Sequence, residues 1–276
     1  MAVSVAQKRK DFFKLHESGC FVLPNPWDTG SARLLASLGY KALASTSAGF
    51  AWSAGRGDYG LKLEELLDHL TQLSAATDLP VNADFESGFA DDPAGVAENV
   101  RKAAATGIAG LSVENRTSDP KNPLYEFSLS VERIRAARAA LDDDESGVFL
   151  VARCEGFLTG EADLNMTIKR LTAFAEAGAD CLYAPGIRTP EQISAVVKAV
   201  TPKPVNVLVM GPDFKVAELA GLGVRRVSLG GQLAAAAWGG FMRAAKEIAE
   251  QGTFTELKNS YSGRDITKVM APYAAK

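Results

Sequence analysis

Carboxylates set at the ends of short apolar runs are the first sign of chemistry in this chain. Asp84 and Glu86 stand two apart in NADFESGF, Glu114 closes GLSVE, and Asp58 lies in GRGDYG. If the run through Asp84 stays extended, alternate side chains share a face, so Asp84 and Glu86 point the same way. Like charges at short range raise each other's pKa, and a hard divalent cation relieves that repulsion. Mg²⁺ takes oxygen ligands, keeps several waters and typically uses one or two protein carboxylates plus the substrate. A 2-oxo acid suits such an ion, since its keto and carboxylate oxygens chelate and the metal stabilises the enolate formed when a bond to C3 breaks. Arg153, at the end of VFLVAR, offers a bidentate fork for an anionic substrate. Ser47, Ala48 and Gly49 add backbone N–H groups able to form a small anion nest. Plainer roles compete: polar residues after strands are often helix N-caps, Asp58 suits a turn, and Arg153 can pair with Glu155.

These residues need a scaffold that gathers strand ends. An amphipathic stretch, a Gly and then an apolar run recur in SARLLASLGYKALAS, VRKAAATGIAGLSVE, RLTAFAEAGADCLYAP and VAELAGLGVRRVSLG. Gly closes a helix in the left-handed conformation, and the apolar run reads as a strand buried on both faces. Eight such strands are expected, at 21–24, 42–46, 80–84, 110–114, 148–153, 181–184, 205–208 and 226–229. Alternation of this kind means a parallel sheet, and eight strands suit a closed (β/α)8 TIM-type barrel with chemistry at the strand C-termini. A doubly wound open sheet is the rival, weakened by the lack of GxGxxG after the first strand and of any GxxxxGK[ST]. The polar strand-end residues are then Asn25, Ser45, Thr46, Ser47, Asp84, Glu86, Glu114, Arg153 and Glu155, with Asn206 inside strand seven. Residues 1–276 read as one domain, with 253–276 as a C-terminal helical extension.

Composition narrows the function. A net charge of −3 and the absence of a Lys/Arg run argue against nucleic acid. No apolar run of about 18 residues could span a membrane, and the first residues lack a signal-peptide core, so a cytoplasmic protein is expected. Cys20, Cys154 and Cys181 have neither CxxC spacing nor an even count. Cys154 and Cys181 read as small core residues. The two histidines, His16 and His69, give little material for a metal site or a nucleophile–base pair, and His69 is expected on a helix surface. A Schiff-base aldolase needs a Lys at a strand's C-terminal end, and Lys203 precedes its strand.

Seven segments, in order across roughly residues 20–235, resemble the isocitrate lyase/phosphoenolpyruvate mutase superfamily. They are LPNPWDTGSARLL, TSAGFAWSAGRGD, VNADFESGFAD, SVEN, VARCEGFLTG, AGADCLYAPG and PVNVL. The resemblance implies a β/α barrel with Mg²⁺ (Mn²⁺ as a substitute) held, mostly through water, near Asp84, Glu86 and Glu114. It implies that Asp58 lies beside the reacting group, that Arg153 binds substrate, and that Thr46, Ser47 and Ala48 cradle its carboxylate. Trp27 and Asn206 join the substrate-contacting set. The resemblance also implies a homotetramer whose C-terminal helices are exchanged between subunits, acting on small 2-oxo acids or their adducts. Its C–C lyases carry a gating loop with a Lys–Lys/Arg–Cys–Gly–His run, whereas 115–127 here (NRTSDPKNPLYEF) has neither Cys nor His. Pro120-Lys121-Asn122 is similar to the mutases' Pro-Lys-x-Asn but one residue tighter, and Pro185 falls where the mutases carry a histidine.

The leading expectation is therefore Mg²⁺-dependent cleavage of a bond to C3 of a 2-oxo acid, of the oxaloacetate decarboxylase or hydrolase kind. P–C chemistry on phosphonopyruvate or phosphoenolpyruvate, with Lys121 and Asn122 closing over the phosphonate, is the alternative. A 2-oxo-acid-binding barrel without activity is a third, of another class.

Overall fold

The computed structural model describes residues 3–274. All eight expected strands are present, with bounds within two residues of those read from the sequence: β1 (Phe21–Leu23), β2 (Leu43–Ala44), β3 (Val81–Asp84), β4 (Gly110–Glu114), β5 (Phe149–Arg153), β6 (Cys181–Tyr183), β7 (Val205–Leu208) and β8 (Arg226–Ser228). Every neighbouring pair is parallel, in the order β1-β8-β7-β6-β5-β4-β3-β2. Between β1 and β2, Ala44 N–H donates to Pro24 O at 3.0 Å, so the sheet is a nearly closed (β/α)8 barrel. Asn25 pins that seam. Its Nδ2 donates to Ser45 O at 3.0 Å and its Oδ1 accepts from Leu229 N–H at 2.8 Å.

The helices start and stop where local chemistry dictates. Asp28 and Ser31 form a capping box on α2 (Thr29–Ser37), and Asp92 caps α5 (Pro93–Ala105) with a proline in its first turn. The other helices of the ring are α4 (Leu63–Ala76), α6 (Phe127–Asp143), α8 (Leu164–Glu176), α9 (Pro190–Val200) and α10 (Val216–Gly221). Gly107 and Gly178 take φ of 88° and 102° after α5 and α8, as the helix–Gly–strand pattern requires. Two short helices, α3 (Ser47–Ser53) and α7 (Gly156–Thr159), follow β2 and β5 directly and sit beside the strand ends.

The sequence pattern gave no hint that α1 (Val5–Leu15) plugs the bottom of the barrel. Phe12 is fully buried, edge-on to Phe149 at 5.5 Å, and His16 stacks on the same ring at 4.0 Å. Gly110 makes room: a Cβ there would stand 2.7 Å from the Phe12 ring. Lys8 and Arg9 tie α1 to carbonyls near helix C-termini, Lys8 to Ser74 and Thr77 and Arg9 to Ala104 at 2.6 Å. His69 corrects a surface expectation, since it is buried and stacked on Phe50 at 3.8 Å. Cys154 and Cys181 are buried core residues.

At the other end of the chain, α11 (Gln232–Gln251) is mostly exposed, with only Ala234 and Glu247 buried. The tail continues through a 3₁₀ turn (Thr255–Asn259) to α12 (Gly263–Met270), which makes the expected helical extension. No helix among the described residues is long and apolar enough to cross a membrane.

Candidate active site

The inward positions of β3, β4 and β5 end in Asp84, Glu114 and Arg153, and β-sheet register sets them side by side: Asp84 pairs Ser112, and Glu114 pairs Arg153. Arg153 is the hub. Its Nη1 donates to Asp84 Oδ1 at 2.8 Å, and its Nε to Glu155 Oε1 at 2.9 Å. Its Nη2 lies 3.0 Å from Glu114 Oε2, an ion-pair contact without hydrogen-bond alignment, which leaves that oxygen buried and unpartnered. The Tyr183 ring lies 5.2 Å from the guanidinium. Burial alone would lower the Arg153 pKa, but Glu114, Glu155 and Asp84 hold it well above its ordinary value. One cation faces three carboxylates. Burial pushes the carboxyls of Glu114 and Glu155 upward, and Arg153 offsets this only in part.

Asp84 is anchored from two sides. Its Oδ2 accepts from Ser47 N–H at 3.0 Å and Ser47 Oγ–H at 2.9 Å, and its own N–H donates to Ser45 Oγ at 2.8 Å. Ser47 therefore offers its N–H to Asp84, and Thr46 is the N-cap of α3, accepting from Gly49 N–H at 3.2 Å. Glu86 departs from the strand geometry expected for it. β3 ends at Asp84, and Glu86 sits at φ 46°, in the left-handed region. It still belongs to the acidic group, because burial first, then Asp84 and Asp58, raise its carboxyl to about 8. Its Oε1 is buried with no hydrogen-bond partner. Burial, followed by Asp84, also raises Asp58.

Asp58, Asp84, Glu114 and Arg153, but not Glu86 or Glu155, line a pocket of about 140 Å³ at the C-terminal end of the barrel. Thr46, Ser47, Ala48, Asp58, Asp84, Glu114 and Arg153, all singled out in the sequence, line it. Five other expected residues are not part of the lining: Glu86, described above, and four that stand elsewhere. Trp27 packs near Gly49, where an added Cβ would meet its own at 3.0 Å. Asn206 is fully buried one layer deeper, donating to Ser228 Oγ at 2.9 Å and accepting from Arg226 Nε at 2.9 Å. Lys121 and Asn122 are exposed on the loop after β4, folded onto Asp119, and they border a separate cavity of about 730 Å³.

The structure adds residues that sequence reasoning passed over. Tyr59 donates from its hydroxyl to Glu114 Oε1 at 2.9 Å, and it does so from φ 60°, a conformation that bulky residues rarely adopt. Arg116 lies over its ring at 4.3 Å. Arg226 and Ser228 reach the pocket from β8, and Tyr183 from β6. Tyr183 and Ser228 end their strands, which could have flagged them, whereas Arg226 begins β8 and no strand-end rule points to it.

Do these residues suit a divalent cation? Among the described residues no three His, Cys, Asp or Glu side chains stand close enough to form a direct ligand cluster. That is compatible with Mg²⁺, which binds through one or two carboxylates and retained waters. The excess of hard oxygen donors, the unpartnered Glu86 Oε1 and its raised carboxyl are what a nearby cation would relieve. Asp84, Glu86 and Glu114 fit that role.

A parallel eight-stranded barrel with charged groups converging on a small pocket at its strand C-termini defines a barrel enzyme for a small molecule. The chain belongs to the phosphoenolpyruvate phosphomutase family, whose model matches residues 12–249, and so to the isocitrate lyase/phosphoenolpyruvate mutase superfamily of lyases and mutases. A solved structure of a candidate lyase/mutase from Burkholderia cenocepacia J2315 is 48% identical, covers 97% of this chain and 96% of its own, and superposes with a TM-score of 0.93. An oxaloacetate decarboxylase of Paraburkholderia xenovorans (strain LB400) is 29% identical over 80% of this chain and 74% of its own length. An oxaloacetate acetylhydrolase solved with the inhibitor 3,3-difluorooxaloacetate is 25% identical, covers 97% of this chain and 94% of its own, with a TM-score of 0.86.

Proposed function

We propose that the protein is a Mg²⁺-dependent enzyme that cleaves a bond to C3 of a small 2-oxo acid, by decarboxylation or hydrolysis of an oxaloacetate-like substrate. The observation that carries this is Arg153 held among Asp84, Glu114 and Glu155 at the edge of a 140 Å³ pocket with carboxylates in excess. When bound, Mg²⁺ supplies the positive charge that an enolate-forming reaction needs. Asp84 and Glu114 are held by Arg153, Ser47 and Tyr59, so the chain fixes the donor set before substrate arrives. Arg153 receives the substrate carboxylate, and the N-terminal turn of α3, with Thr46, Ser47 and Ala48, cradles it. Asp58 and Tyr59 are the proton-bearing groups that the loop after β2 presents to the pocket, and they take the proton-transfer role for which the loop at 115–127 offers no cysteine. The relatives that act on oxaloacetate support the substrate class.

The test is turnover in MgCl₂ with oxaloacetate, 2-methylisocitrate, 2,3-dimethylmalate and phosphonopyruvate, with and without EDTA, beside Asp84→Ala. EDTA-sensitive turnover of a C–C substrate, lost in the variant, is expected. Turnover that survives both EDTA and the substitution would overturn the mechanism. P–C chemistry is the second reading, favoured by Pro120-Lys121-Asn122 and the family's mutase members. It requires Lys121 and Asn122 to leave Asp119 and the loop after β4 to close over the pocket, and turnover of phosphonopyruvate alone would establish it.

A homotetramer with exchanged C-terminal helices goes with this proposal. The support is an apolar surface that one chain leaves open: Trp238, Phe241 and Met242 on α11 and Phe254 beyond it are 40–63% exposed.

A further inference from the structure

The pocket holds two guanidinium groups in opposite surroundings. Arg153 faces three carboxylates. Arg226, the first residue of β8, is 2% exposed and lies one layer deeper, with no carboxylate against it. Its Nε donates to Asn206 Oδ1 at 2.9 Å and its Nη1 to Asn82 Oδ1 at 3.3 Å, so it crosses the lumen from β8 towards β3. Both acceptors are neutral amides. Asn206 is held in this orientation by its own bond to Ser228 Oγ. Among the described residues Arg226 takes part in no ion pair, and Cys181 and Tyr183 are the groups that counter the effect of burial on its pKa. An arginine keeps its charge even so.

A buried cation without a counter-charge is costly, yet β3 and β7 each contribute an asparagine that positions this one. Among the described residues its Nη2 has no hydrogen-bond partner, and the residue lines the pocket. The cavity is thus polarised, with carboxylates on the β3–β4 side beside Arg153 and an uncompensated cation on β8 below them. A ligand with one anionic group answers only one of the two guanidinium groups. A ligand with two answers both, and supplies the charge that Arg226 lacks.

We propose that Arg226 is a specificity-determining residue that receives a second carboxylate of the substrate, so that the pocket selects 2-oxo dicarboxylic acids over 2-oxo monocarboxylic acids. This rests on the 2-oxo-acid chemistry proposed above and names the residue that would set its substrate range. Arg226 contacts none of the carboxylates assigned to the metal, so its contribution can be read separately from theirs.

Calorimetric titration in MgCl₂ with 3,3-difluorooxaloacetate, a dicarboxylate, and with pyruvate, a monocarboxylate, tests it. The unaltered protein is expected to prefer the dicarboxylate by about tenfold or more, the size of a charge-assisted hydrogen bond. Arg226→Gln should shrink that preference to within about threefold while leaving pyruvate binding unchanged, and Arg226→Lys, which keeps the charge, should retain an intermediate preference. Equal binding of the two ligands by the unaltered protein would overturn the proposal with no variant needed. So would a preference that survives both substitutions, or an equal loss for both ligands in each folded variant, which marks a purely structural arginine. Failure of the activity is distinguishable: no turnover of any 2-oxo acid, with the Arg226-dependent preference intact, sinks the proposed reaction and leaves the subsite standing.

Discussion

Arg153 joins three strand ends that would otherwise repel one another. With Asp84, Glu114 and Glu155 around it, the guanidinium is a structural as well as a binding group. Removing one partner of a buried ion pair leaves the remainder uncompensated, which typically costs about 3–5 kcal/mol. Arg153→Met should therefore abolish turnover and lower the melting temperature by on the order of 10 °C, as scanning calorimetry would record. A variant that lost activity at unchanged stability would show that the carboxylates do not depend on Arg153 for their charge balance. At this scale the sequence was informative about residue type. Asp84, Glu114 and Arg153 could be singled out because each ends an apolar run, and Asp58 as a carboxylate in the loop after strand two. Tyr59 could not, because its contribution depends on a left-handed backbone that places its hydroxyl on a residue 55 positions away.

Between residue and barrel, the elements that matter most are β3, α1 and β4. Glu86 shows the limit of periodicity: two residues on from Asp84 it should share a face, but the strand stops and a left-handed turn redirects it. Gly110 on β4 admits the Phe12 ring of α1, so Gly110→Ala is an overpacking change against a ring at 2.7 Å and the Phe149 carbonyl oxygen at 3.1 Å. A loss of about 1–3 kcal/mol is expected by denaturant titration, and an unchanged midpoint would mean that α1 is not held in the barrel. The buried histidines add a pH dependence. Burial, above all, lowers His16 to about 3 and His69 to about 4, from 6.5. Below pH 6.5 the unfolded chain takes up protons that the native rings refuse, so stability is full above that pH and falls from 6.5 towards 4. Glu86, raised to about 8, acts with the opposite sign, losing stability as pH rises from about 4.5 to 8. The difference between the protein and His69→Phe, which keeps the stack on Phe50, isolates the histidine. The variant's melting temperature should fall less between pH 6.5 and 4, and parallel curves would show that His69 does not titrate as described.

For the molecule as a whole, α11 poses the remaining question. A twenty-residue helix with two buried residues does not stabilise itself by its contacts within one chain. If the exchange proposed above covers it, light scattering should give four times the monomer mass of 29.2 kDa. Phe241→Asp should then reduce that assembly to smaller species, because a charge buried in an apolar interface is not tolerated. A monomer at micromolar concentration would remove the tetramer.

The sequence by itself determined the barrel. Eight alternating helix and strand units, several joined by a Gly, follow from local propensities and hydrophobic patterning, which act over a few residues and are written in the order of the chain. It also named the residue types of the site and, through seven ordered segments, the superfamily. Tertiary structure alone decided which strand ends converge on Arg153, that α1 fills the barrel floor, that Glu86 turns out of its strand, and that Arg226 crosses the lumen without a counter-charge. Each of these depends on contacts between residues tens to more than a hundred positions apart, or on a backbone turn that side-chain periodicity does not encode. No local pattern carries that information, because it exists only once the sheet has closed.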